Sequence, residues 1–160
     1  MRYVIAILAL VSGCATAPVE PPPVVVRLFV GTECPVSNFY APEIRRLTET
    51  WGSRGVTFQI VYAEPGIVPA DALRHAGRYG LSCPVVMDVE RVLAAECGVT
   101  RVPTAVIDGA YRGRIDDRWS ADGKRRDVPR THELEDALAA LVEGRAPAVK
   151  ETPVFGCPLP

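Results

Sequence analysis

Cys34, Pro35, Val36 and Ser37 stand together directly after an apolar run and a short turn. The run, Val24 to Val30, is β-branched and broken only by Arg27, and Gly31-Thr32-Glu33 follows it. Proline at position 35 suits the first residue of a helix, where the missing N–H has no role. Cys34 is thereby placed at a helix start, among unpaired N–H groups and at the positive end of the helix dipole. Both favour the thiolate, which is the nucleophilic form of cysteine. Ser37 lies three residues on, where its hydroxyl or its N–H can turn back to the sulfur. The chemistry within reach is attack of Cys34 on a disulfide, or its oxidation by a peroxide to a sulfenic acid. The same residues also fit a buried, inert cysteine at the start of a helix.

Any such cycle needs a second thiol to resolve the oxidised or mixed-disulfide form. Four cysteines besides Cys34 are present. Cys157 is the internal candidate, because the proline-containing tail around it reads as extended and flexible. It could equally serve a partner, or nothing. Cys83, among apolar residues before Pro84, and Cys97, at the end of an apolar helix face, read as structural, either paired with each other or as buried thiols. The two histidines, His75 and His132, fall on amphipathic helices and read as surface or helix-end residues. Neither joins a cysteine at metal-ligand spacing, so no metal or cofactor site is assigned. No phosphate-cradling glycine loop and no Ser-His-Asp arrangement is visible.

The elements that position Cys34 follow from periodicity and punctuation. Val24–Val30 reads as a buried strand. Val36, Phe39, Tyr40, Ile44 and Leu47 recur at helical spacing to about Trp51, with Pro42 predicting a kink and Gly52 and Gly55 an end. Val56–Val61 alternates as a second strand. A helix is predicted over Pro69–Tyr79, closed by Gly80, then a strand at Pro84–Met87 and a short helix at Glu90–Cys97. Thr104–Ile107 and Tyr111–Ile115 form a hairpin about Asp108-Gly109. Residues 116–129 are polar and irregular, and the alternating charges of Arg112–Arg118 read as internal pairs or a polar rim. Thr131 is placed to cap a last helix ending near Glu143. Strand-helix-strand units demand parallel pairing and the hairpin supplies an antiparallel pair, so the fold class is α/β with a mixed central sheet flanked by helices.

Gly98-Val99-Thr100-Arg101-Val102-Pro103-Thr104, followed at once by a strand, resembles the thioredoxin-like superfamily. A Gly-Val-x-x-x-Pro-Thr segment there carries a cis-proline facing the reactive cysteine. Without that likeness, a trans proline starting a strand is the alternative. Gly31 to Asn38, Tyr40-Ala41-Pro42-Glu43, Tyr111 to Asp117 and Gly156-Cys157-Pro158-Leu159 are similar to the redoxin branch, related to alkyl hydroperoxide reductase and thiol-specific antioxidant proteins, in an exported bacterial lipoprotein subgroup. The resemblance runs from about Val24 to the C-terminus. It implies a thioredoxin-like fold, catalysis by Cys34 with Ser37 and Cys157, and substrate binding by Val102, Pro103 and Thr104. Protein thiols and disulfides or a small peroxide would be the partners. Two positions depart from the pattern. Ser37 replaces the second thioredoxin cysteine, and Gly31 stands where peroxiredoxins carry threonine or serine. The alternative to an oxidoreductase is a non-catalytic thioredoxin-fold adaptor or a Cu(I) carrier using Cys34 and Cys157.

The rest of the chain sets the context. Met1-Arg2, the apolar stretch Tyr3–Val11 and the small Ser12-Gly13 describe a secretory signal too short to span a bilayer. Val11-Ser12-Gly13-Cys14 looks like a lipobox, in which Cys14 is acylated. An ordinary signal cut elsewhere is the alternative. Residues 1–13 are thus read as a signal peptide, 14–23 as a proline-rich tether, 24–144 as the domain and 145–160 as an extended tail. The expected location is the periplasmic face of an envelope membrane, reached through an N-terminal lipid, where disulfides persist. In 160 residues, 48% hydrophobic and 23% charged, a net charge of −1 gives nucleic acid no foothold. The one basic run, Lys124 to Arg126, is flanked by Asp122 and Asp127.

Overall fold

The structure, a computed structural model, describes residues 23–121 and 123–159. The predicted signal, Cys14 and all of the tether except Pro23 lie outside the described residues. The chain runs β1 (Val25–Val30), α1 (Pro35–Gly52), β2 (Thr57–Tyr62), α2 (Pro69–Tyr79), β3 (Val85–Met87), α3 (Val92–Glu96), β4 (Arg101–Val102), β5 (Thr104–Ile107), β6 (Tyr111–Gly113), α4 (Glu133–Val142) and β7 (Cys157–Pro158). Five strands form one sheet in the order β3-β2-β1-β5-β6, and β4 and β7 form a separate pair. β1 is parallel to β2 and β2 to β3, whereas β5 runs antiparallel to β1 and β6 to β5. The mixed sheet expected from the sequence is therefore present, flanked by helices.

Successive strand residues point to opposite faces of a sheet. In β1, Leu28, Phe29 and Val30 are all buried, as are Ile60, Val61 and Tyr62 in β2. Both faces of the central strands are covered, which explains why these strands read as continuous apolar runs rather than alternating ones. On α1, Val36, Tyr40, Ile44, Leu47 and Trp51 face the core, and the helix is continuous through Pro42. α2 matches its predicted bounds because Gly80 closes it in the left-handed region, at φ +67°.

Several boundaries differ from expectation for local reasons. The predicted Glu90–Cys97 helix shortens to Val92–Glu96. Its N-terminal amides are capped by Asp88, whose Oδ1 accepts from Leu93 N at 3.0 Å and whose Oδ2 accepts from Ala94 N at 2.8 Å. The hairpin turn is one residue longer than Asp108-Gly109: Ala110 N donates to Ile107 O at 2.9 Å. Thr131 does not cap α4. His132 occupies the cap position without a side-chain bond, and the Thr131 hydroxyl donates to Glu133 at 2.7 Å.

The tail is extended but it is not loose. Arg112 N donates to Lys150 O at 2.9 Å and Thr152 N to Arg112 O at 3.1 Å, so residues 150–152 run along the outer edge of β6. Thr152 Oγ1 also accepts from Arg114 N at 3.1 Å and lies 2.8 Å from the Tyr111 hydroxyl. Gly113 makes this crossing possible, because a Cβ there would stand 2.0 Å from Thr152 Oγ1.

The alternating charges of Arg112–Arg118 form internal pairs. Asp116 is buried, and its carboxylate accepts from the Tyr40 hydroxyl at 2.7 Å and from Arg118 Nε at 2.7 Å. Arg118 also lies 3.3 Å from Glu43. This network ties the irregular segment after β6 to α1. Asp116→Ala removes the carboxylate shared by the largely buried Arg118 guanidinium and the buried Tyr40 phenol, leaving them Glu43 and the residue-116 carbonyl, each at 3.3 Å, so it should cost about 2 kcal/mol in urea unfolding. An unchanged unfolding midpoint would show that the network is dispensable.

Candidate active site

β1 and β2 end together, with Val30 beside Tyr62. The chain two residues beyond each strand therefore meets at the same sheet end, which brings Thr32 to Glu64. Thr32 N donates to the Glu64 carboxylate at 3.0 and 3.1 Å, and the Thr32 hydroxyl donates to it at 3.0 Å. Asn38 Nδ2 donates to Thr32 O at 3.3 Å, Asn38 Oδ1 lies 2.8 Å from His75 Nε2, and His75 Nδ1 lies 2.7 Å from the Tyr62 hydroxyl. These contacts fix the turn that delivers Cys34. His75 is consequently half-buried inside a polar network and not the surface residue expected from its helix. Burial, the largest influence, holds its pKa below the ordinary histidine value despite Glu64 and Glu33. Beside this network is an open pocket of about 580 Å³, lined by Thr32, Asn38, Glu64, Arg74 and His75 among others, and Cys34 does not line it.

Cys34 occupies the N-cap of α1, with extended backbone angles of φ −82° and ψ 112°. Its Sγ accepts from Ser37 N at 3.4 Å, the geometry anticipated for a helix-start thiol. The Ser37 side chain faces inward, and its Oγ accepts from Gly31 N at 3.1 Å. When protonated, Cys34 Sγ donates toward Val102 O at 3.5 Å. The Val102–Pro103 bond is cis, as the resemblance implied. Gly31 packs against both: a Cβ there would stand 3.1 Å from Cys34 Cβ and 3.1 Å from Val102 Cγ2. Thr104 is also nearby, but it is buried and its hydroxyl donates to Arg101 O at 2.6 Å. Its side chain braces the turn before β5.

Cys157 completes the group. β7 pairs antiparallel with β4, with Cys157 opposite Val102 and Pro158 opposite Arg101. Leu159 N donates to Thr100 O at 2.9 Å and Arg101 donates to Gly156 O at 2.8 Å. The tail cysteine is therefore delivered by a strand and does not reach the site by flexibility. Cys34, Ser37, Val102, Pro103 and Cys157 are brought together. Cys83 and Cys97 are unpaired thiols, not a disulfide, and burial pushes the pKa of each up.

The two neighbouring thiols are made unequal. Burial by itself would raise the Cys34 pKa. The Cys157 thiol, the Ser37 side chain and the backbone N–H groups of Ser37 and Cys157 oppose it, and the net is a pKa below the ordinary thiol value. Cys157 moves the other way, pushed up to about 11 by burial and then by the hydrogen bond and charge of Cys34. The surroundings therefore favour the thiolate on Cys34 and the thiol on Cys157.

Comparison with solved structures places the fold. An uncharacterized conserved protein from Geobacillus kaustophilus is 25% identical with a TM-score of 0.74, covering 86% of this chain and 76% of that one. A hypothetical protein from Sinorhizobium meliloti is 18% identical with the same TM-score, covering 86% and 79%. A secreted Mycobacterium tuberculosis disulfide oxidoreductase homologous to Escherichia coli DsbE is 20% identical with a TM-score of 0.52, covering 75% and 83%. The fold is thioredoxin-like. No protein-family model and no curated protein matches the chain. Within this fold, Cys34 stands at the start of α1 and its Sγ lies 3.5 Å from the carbonyl of Val102, the residue before the cis Pro103.

Sequence alone missed Glu64, His75 and the docking of β7. The first was within reach, since aligning two parallel strands end to end sets Thr32 beside Glu64. Removing the inward serine tests the site's electrostatics. Ser37→Ala should raise the Cys34 pKa by up to about one unit, read from thiolate absorbance at 240 nm against a Cys34→Ser baseline. An unmoved titration would show that Ser37 contributes nothing to the anion.

Proposed function

We propose that this protein is an exported thiol-disulfide oxidoreductase in which Cys34 and Cys157 form the working pair. The observation that carries this is the pairing of β4 with β7, which sets the Cys157 thiol beside a helix-start thiol of lowered pKa. The Cys34 thiolate attacks a sulfur of a substrate disulfide, forming a mixed disulfide and expelling the other substrate sulfur as a thiolate. Cys157, deprotonated, then attacks the Cys34 sulfur. This breaks the mixed disulfide, releases the second substrate thiol and leaves Cys34 and Cys157 joined. The substrate disulfide gains two electrons and the protein dithiol loses two. The missing cysteine at position 37 is thereby made good from the far end of the chain.

Disulfide exchange is favoured over peroxide reduction. The Thr32 hydroxyl is turned to Glu64, and Gly31 offers no side chain beside the sulfur. Solved structures of this fold include a secreted disulfide oxidoreductase, in keeping with work outside the cytoplasm. Export rests on the signal-like first 13 residues, and anchoring on acylation of Cys14. No helix among the described residues is long and apolar enough to cross a membrane. A second function, carriage of Cu(I) between the same two sulfurs, draws on the same proximity. Failure to compete for Cu(I) with a strong chelator would dismiss it.

Disulfide mapping after limited oxidation should find Cys34 joined to Cys157, with Cys83 and Cys97 still free. Cys34→Ser should lower turnover of a peptide disulfide by about 10³-fold or more, and Cys157→Ser should trap the mixed disulfide on Cys34. Full turnover in Cys34→Ser would end the proposal. Cys14→Ser should move the protein from the membrane fraction to the soluble one, and an unchanged distribution would exclude a lipid on Cys14.

A further inference from the structure

The sulfur assigned to attack is nearly sealed. Cys34 is 4% exposed. It is enclosed by Val102, Gly31 and its own helix start, and on the remaining side by the chain's own C-terminal strand. β7 lies along the edge of β4 with Cys157 opposite Val102, and so occupies the backbone edge beside the sulfur. Among the described residues β7 is only two residues long and pairs with β4 alone, and the tail has a second, separate hold at Lys150–Thr152 on β6, so β7 can part from β4 while the tail stays attached.

The fit of that strand is specific at one position. Gly156, immediately before the cysteine, lies so close to β4 that a Cβ would stand 2.1 Å from Val102 O and 2.9 Å from Val102 C. These are backbone atoms and cannot swing aside. Leu159, two residues beyond the cysteine, packs against the core with its N–H on Thr100 O.

We infer that the edge of β4 is a peptide-binding surface held by the protein's own C-terminal strand as a self-substrate, and that β7 must lift before an external extended segment, with glycine directly before its cysteine, can reach Cys34. This rests on the proposed role of Cys34, but the gate is measurable without turnover. In the reduced protein β7 competes with external segments for one edge. When Cys157 is disulfide-bonded to Cys34, the same strand is fixed in place, and reduction of that bond returns it to a displaceable state. Selection works by exclusion. A side chain before the cysteine meets the Val102 carbonyl and drives the strand out of register, whereas glycine lets the two backbones close.

The test uses the full-length reduced protein and Gly156→Ala, which keeps every cysteine. Labelling by a bulky maleimide is followed site by site with mass spectrometry. Cys34 should react at least about tenfold faster in Gly156→Ala than in the natural chain, with Cys83 unchanged. Equal Cys34 rates would overturn the gate. Should that variant fold poorly, hydrogen exchange of the natural chain decides. The Leu159 amide should exchange at least about tenfold faster than the amides of β5, and equal protection would overturn the proposal. A peptide of residues 153–160, its cysteine carried as a thionitrobenzoate mixed disulfide, should react with Cys34 of Gly156→Ala about tenfold faster than the same peptide with alanine before the cysteine. Equal rates would remove the glycine selection. Loss of the Cys34–Cys157 disulfide on mapping, with the labelling difference intact, would sink the oxidoreductase and leave the gated surface standing.

Discussion

The Val102 carbonyl is the point on which the site turns. It faces Cys34 Sγ at 3.5 Å on one side and the backbone of Gly156 on the other. Two stretches more than a hundred residues apart in sequence thus converge on one peptide group. Everything upstream serves to place that group. Parallel pairing of β1 and β2 sets the sheet end, the Thr32–Glu64 contact fixes the turn, and Pro35 starts the helix whose first amides greet the sulfur. Thr104 braces the opposite side by bonding Arg101 O. A shift in any of these would separate the two thiols.

Proximity by itself would give two equivalent thiols. The surroundings break the symmetry. Cys34 sits where α1 directs the Ser37 N–H at it, whereas Cys157 lies half-buried on a strand without a comparable set of donors. A stabilised thiolate is a better leaving group and a milder nucleophile than a basic one. The pair therefore has a built-in polarity, with charge favoured at the helix and the proton favoured on the tail. Ser37 fits this division. Its hydroxyl holds the Gly31 amide, which keeps the turn closed under the sulfur.

Much of this was legible from residue types. Buried strands announced themselves as apolar runs, α2 as an amphipathic segment stopped by Gly80, and Cys34 by its place between a strand and Pro35. Less legible was whatever depends on two distant segments meeting. Thr131 looked like a cap, but Asp117 accepts from the Arg130 and Thr131 amides and reshapes the approach to α4. His75 looked exposed because its helix is amphipathic, yet Asn38 and Tyr62 reach it from two other elements. The tail's prolines read as an extended chain. They carried no information about which edge would receive it, because that depends on Gly113 and Gly156 lacking side chains where strands cross.

The anchor at Thr152 has a geometric consequence. Cys157 is only five positions beyond it. At about 3.6 Å per residue, the thiol of an undocked tail stays within roughly 18 Å of that anchor. A sulfur confined to so small a volume has an effective concentration in the millimolar range or above. The leash lets the strand swing out of the way while guaranteeing that its cysteine is the nearest sulfur whenever the cleft empties.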